Sequence, residues 1–142
     1  MRALLDVNVL IALLDAAHLH HGEARRWLES NVEYGWASCP ITQNGCVRIL
    51  SQAAYPGARP VALVAERLAQ AADSPIHEFW PDDASLLDRA FLDPRRLLGA
   101  RQITDGYLLA LAVRHGGRFV TFDRAVPLDA VPGARPEHLV VL

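Results

Sequence analysis

At 142 residues, the chain has the length of one domain that buries a real core. Apolar residues make up 51% and charged residues 21%, a globular balance, and the net charge of −2 sets up no global basic field. All 14 basic residues are arginine, which excludes schemes that need a lysine, while arginine suits bidentate contacts to phosphate.

In chain order, Ala3-Leu4-Leu5 reads as a buried strand that ends at Asp6, and a short helix is expected from Val7 to Leu14. Its apolar run, Val9 to Leu14, is too short to span a bilayer. Met1-Arg2 leads straight into the strand without an apolar signal region, so no membrane and a cytosolic location are expected. The loop Asp15 to Gly22 carries His18, His20 and His21, which lack a matching second ligand group and read as solvated or helix-capping. Ala24, Trp27 and Leu28 share one face of a helix from about Glu23 to Asn31. Trp36-Ala37-Ser38 reads as a strand, and Pro40 opens a helix that runs to about Gln52, before the breaker Tyr55-Pro56-Gly57. Cys39 and Cys46 form no CxxC and read as two small buried side chains.

Val61, Val64, Ala65, Leu68 and Ala72 recur at the spacing of an amphipathic helix, which Asp73-Ser74-Pro75 stops. Ile76 to Phe79 alternates like a strand, and Asp82-Asp83 is expected to cap a helix over Ala84 to Leu92. Asp93 to Gln102 reads as an arginine-rich loop. Asp105 then heads a helix whose buried face is Tyr107, Leu108, Leu111 and Ala112, closed by Gly116-Gly117. The strand Arg118 to Phe122 ends at Asp123, and a last strand is expected over His138 to Leu142. Trp27, Trp36 and Trp80 read as core anchors, and Arg48 as a salt-bridge partner or a residue reaching the cleft.

Short strands alternating with helices predict an α/β fold, a mainly parallel sheet covered on both faces, over one domain spanning 1–142. Ligands of such sheets sit outside the carboxyl ends of the strands. Asp6 and Asp123 lie at two such ends, and Asp105, at a helix N-terminus, faces the same rim. Any one of these aspartates reads as a structural cap. Together they repel one another unless a cation neutralises them. Carboxylate oxygens suit Mg²⁺ or Mn²⁺, which activate water and stabilise a leaving oxygen, so phosphodiester hydrolysis is the implied reaction.

Four segments carry a family resemblance: Leu4-Leu5-Asp6-Val7-Asn8-Val9-Leu10, Pro40-Ile41-Thr42-Gln43-Asn44-Gly45, Thr104-Asp105-Gly106-Tyr107-Leu108-Leu109-Ala110 and Phe119-Val120-Thr121-Phe122-Asp123. In this order they resemble the signature segments of PIN-domain ribonucleases, most closely the VapC toxins of type II toxin–antitoxin systems. The resemblance implies an α/β/α sandwich, a homodimer, a Mg²⁺- or Mn²⁺-dependent endoribonuclease and neutralisation by a VapB-like antitoxin. It makes Asp6, Asp105 and Asp123 metal ligands, Asn8 a residue that orients Asp6, and Thr121 a residue that orders the same site. Gln43 stands where the family pattern has glutamate, which implies weakened metal binding. Arg95, Arg96 and Arg101 are candidates for RNA phosphate contacts, or else form a solvated basic loop.

A dehalogenase-like phosphatase needs a second acid where this chain has Asn8, and no GxxxxGK or GxGxxG phosphate loop is present. The remaining rival is a PIN-fold protein that binds RNA or an antitoxin without cutting, with Gln43 as its main support.

Overall fold

Five short strands, β1 (Ala3–Leu5), β2 (Trp36–Ser38), β3 (His77–Phe79), β4 (Arg118–Thr121) and β5 (Leu139–Val141), form one sheet. A computed structural model describes residues 1–142. The spatial order is β3-β2-β1-β4-β5, and all four pairings are parallel. In register, Leu4 lies between Ala37 and Phe119.

Alternation along the strands sends successive side chains to opposite faces, and the two faces bury different helices. Leu4, Ala37 and Phe119 pack with α5 (Ile103–Arg114). Ala3, Leu5, Trp36 and Val120 pack with α1 (Val7–Leu14), α2 (His21–Ser30), α3 (Pro40–Leu50) and α4 (Val61–Ala72). The result is the expected three-layer α/β/α arrangement. Burying Leu4 or Phe119 contributes roughly 1.5–3 kcal/mol each. Gly106 to Ala112 are all buried, because Phe91, Leu92, Val126 and Val131 cover the side of α5 turned away from the sheet.

Trp36 and Trp80 are buried, as core anchors should be, and Trp27 is half-buried with the Arg118 guanidinium 5.1 Å from its ring centroid. Cys39 and Cys46 are buried free thiols, and burial pushes them up to about 11 and about 12. The histidines act locally. His18 Nδ1 accepts from the His20 amide, His20 pairs with Glu23, and His21 Nδ1 meets the Ala12 carbonyl. His21 thereby belongs to α2 rather than to the loop before it.

The helix expected over Ala84 to Leu92 does not form. Ser85 Oγ accepts from the Leu87 amide and Asp88 Oδ1 from the Ala90 amide, so side chains capture the amides a first helical turn would use. Asp82 and Asp83 consequently cap nothing there. Asp82 Oδ2 instead accepts from the Ile41 amide at the start of α3, and Asp83 pairs with Arg114. The expected final strand is shorter, with His138 ending a 3-10 turn before Leu139.

The topology fixes where a site belongs. From the central β1 the chain moves outward to β2 and β3, and later returns to β4 on the other side. The strand order reverses between β1 and β4, and their carboxyl ends open the crevice that α/β sheets use for ligands. Asp6 and Asp123 follow those two strands.

Candidate active site

Asp6 leaves β1 with extended backbone and caps α1, Oδ1 accepting from the Val7 amide at 2.7 Å. Its Oδ2 accepts from Thr121 Oγ1 at 2.7 Å, and the same hydroxyl accepts from the Asp123 amide at 3.0 Å. Thr121 thus ties the end of β4 to the end of β1 and sets where both aspartates stand. The Asp6 amide also donates to the Val120 carbonyl at 2.9 Å. Burial pushes the Asp6 carboxyl up, outweighing the Thr121 and Val7 hydrogen bonds, and Asp123 adds to the rise.

Asp105 lies in the first turn of α5, where the helix dipole favours a carboxylate. Burial, then Asp6, then Asp123 nonetheless push its carboxyl up to about 6. Asp123 is exposed at the rim, with Oδ1 accepting from the Ala125 amide at 2.7 Å. The three carboxylates line one cleft of about 610 Å³ with Asn8, Thr104 and Asp82. The Oδ1 atom of Asp82 is buried without a hydrogen-bond partner. The cleft therefore offers carboxylate, amide and hydroxyl oxygens with no histidine or cysteine, a donor set that fits a hard divalent cation. The acids are not already closed into a three-ligand shell.

The structure does not bring two of the expected residues into their expected roles. Asn8 is exposed on the cleft wall, and both oxygens of Asp6 are held by Val7 and Thr121 instead. Gln43 does not line the acid cleft. Its Nε2 donates to Ser38 Oγ at 3.0 Å, and that hydroxyl in turn meets His77 Nε2 at 2.8 Å. Helical geometry gives the reason. Ile41, Asn44, Gly45 and Arg48, spaced three and four apart, form the face of α3 that lines the cleft, and Gln43 falls off it. Gln43 lines a separate groove between α3 and α4.

A Cβ on Gly45 would come within 2.6 Å of Val7 Cγ2, so this glycine lets α3 approach α1 and leaves no acid at that point. Asn44, Gly45 and Arg48 were readable as a group from their helical spacing, and Asp82 only from its neighbourhood.

The arginines expected to meet RNA also divide. Arg95 makes a two-pronged pair with Asp93, at 2.9 Å from each Asp93 oxygen, and Arg96 sits 3.9 Å from Asp93. The Arg95 hydrogen bonds hold Asp93 down at about 2. Arg101 is exposed on a 3-10 turn before α5, and none of these three lines the cleft.

No helix is long and apolar enough to cross a membrane. The PIN domain family model matches residues 3–133. Ribonuclease VapC44 of Mycobacterium tuberculosis is 55% identical over 142 residues, covering all of both chains. Ribonuclease VapC39 of the same organism is 43% identical over 134 residues, 94% of this chain and 96% of that protein. Two solved structures share the fold. VapBC2 from Rickettsia felis bound to a DNA fragment from its promoter superposes with a TM-score of 0.63 at 12% identity, covering 100% of this chain and 98% of that one. Mycobacterium tuberculosis VapC20, described as a Sarcin-Ricin loop cleaving toxin, gives 0.62 at 17% identity, covering 94% and 99%. With its aspartates at the β1–β4 crevice, the chain belongs to the PIN-domain family and, within it, to the VapC ribonucleases.

Proposed function

We propose that this protein is the toxin of a type II toxin–antitoxin pair, a divalent-metal-dependent endoribonuclease that hydrolyses RNA phosphodiesters. Asp6, Asp105 and Asp123 are the residues that hold the cation, Mg²⁺ or Mn²⁺. The partners are a VapB-like antitoxin and a second copy of the chain, and the protein acts in the cytoplasm. The observation behind this reading is the convergence of Asp6, Asp105 and Asp123 in one cleft at the sheet's switch point. Burial and like charge push Asp6 and Asp105 up, the state that a bound divalent cation relieves.

When bound, the cation supplies activation of the attacking water and charge neutralisation at the scissile phosphate. In the net reaction the water oxygen bonds to phosphorus and a bridging P–O bond breaks, leaving a phosphate on one fragment and a hydroxyl on the other. Thr121 keeps the Asp6 carboxylate in one orientation by donating to Oδ2. Asp105, in the first turn of α5, presents its carboxylate to the same cleft. Asp123, exposed at the mouth, stands where substrate enters.

Incubation of a structured RNA with Mg²⁺ or Mn²⁺, alone and with excess EDTA, tests the reading. Cleavage that EDTA stops and Asp105→Asn abolishes supports it. The non-cleaving alternative gains from the cleft-facing side of α3, which carries no acid. Stable RNA binding without cleavage under every metal condition would select it.

A further inference from the structure

Arg48 occupies the last turn of α3 and, alone among the arginines, lines the acid cleft. It also lines the neighbouring α3–α4 groove, sharing both with Asn44. The chain's arginine ion pairs use Arg2, Arg25, Arg95, Arg96, Arg114 and Arg135, so the Arg48 guanidinium is exposed and uncommitted. It stands in a cleft with four carboxylates and pairs with none of them.

A polyanion entering a cleft walled by four acids meets repulsion, and a free cation lining the same cleft counters it. Asn44, exposed one turn before it, adds a neutral amide to the same wall. Arginine's fork matches the oxygens of a phosphate.

Building on the ribonuclease reading, we infer that Arg48 binds a substrate phosphate flanking the one that is cut. Arg48 is a positioning residue for the RNA track and takes no part in the bond changes.

The test is the salt dependence of binding of a fluorescent RNA hairpin that the wild type cleaves, measured by anisotropy in EDTA so that no cleavage occurs. The plot of log K against log salt for R48Q should be shallower than wild type by about 1, the loss of one phosphate contact. R48K should recover the slope, and R135Q, whose arginine pairs with Glu137 outside the cleft, should leave it unchanged. An R48Q slope equal to wild type overturns the inference while the ribonuclease reading stands. A slope lost equally in R48K and R48Q also overturns it, since charge is kept in one and removed in the other. If the wild type neither binds nor cleaves RNA, both the inference and the functional reading fall.

Discussion

The eight-residue helix α1 has an aspartate at each end, and the two are tuned in opposite directions. Both are buried, and both accept one amide and one hydroxyl. Asp15, at the C-terminal end, accepts from the Ala17 amide and, at 2.6 Å, from Tyr55. The Tyr55 hydrogen bond holds its carboxyl below the usual range, and Arg59 and His18 lower it further. Asp6, at the N-terminal end, has the same kinds of donor from Val7 and Thr121, yet its carboxyl is pushed up. Burial dominates there, and the charge facing it is Asp123 rather than an arginine. With the same kinds of hydrogen bond, heavier burial and then an acidic neighbour raise Asp6, while the Tyr55 hydrogen bond and basic neighbours lower Asp15.

Asparagine at each end of α1 should break this symmetry, and the activity effect is the largest expected. Asp6→Asn should lower RNA cleavage on the order of 10²–10³-fold, the cost of removing one group placed to stabilise transition-state charge. Its melting temperature should hold or rise, since a strained carboxylate is gone. Asp15→Asn should do the reverse, costing about 1–3 kcal/mol of stability as the Tyr55 hydroxyl loses a charged acceptor. Its cleavage rate per folded molecule should stay at the wild-type level. Chemical denaturation and cleavage assays on the same preparations read both halves.

The next effect is in pH. Asp105 sits at about 6 when folded against an ordinary value of 3.8, so the folded state binds its proton more tightly. In EDTA, stability should therefore rise as pH falls from about 7 toward 4, by about 1 kcal/mol once solvent screening of this partly exposed group is allowed for. Asp105→Asn should remove that rise. Asp15 has the opposite sign. Its contribution is present above 3.8 and is lost as pH falls through its lowered folded value. Urea midpoints across the pH series, with and without Asp105, check both signs.

The smallest expected effect is at Gln43. Gln43→Glu places a carboxylate beside Ser38 and outside the acid cleft, so cation affinity and cleavage rate should stay at wild-type levels. A gain in either would return this residue to the site.

Much of this was legible in the sequence wherever a local pattern was also the final environment. Ala3-Leu4-Leu5-Asp6 and Phe119-Val120-Thr121 read as buried strands running to a crevice because burial on both faces makes strands continuously apolar. Asp105 read correctly as a helix-head residue. The segment 84–92 failed because helix-like spacing of its apolar residues competed with Ser85 and Asp88, whose side chains hold turns. Gln43 does not line the acid cleft, because a helix groups residues three and four apart rather than neighbours along the chain. Asn44, Gly45 and Arg48 share a face that Gln43 does not. Arg95 and Arg96 were read as free because nothing in their composition reveals that Asp93 holds them.

Direct titration of Mn²⁺ into the wild type, Asp105→Asn and Asp15→Asn by calorimetry tests the central claim that the β1–β4 aspartates are one cation site. Wild type and Asp15→Asn should bind Mn²⁺ saturably, with proton release near pH 6, and Asp105→Asn should lose that binding. Equal Mn²⁺ binding by wild type and Asp105→Asn would contradict that claim.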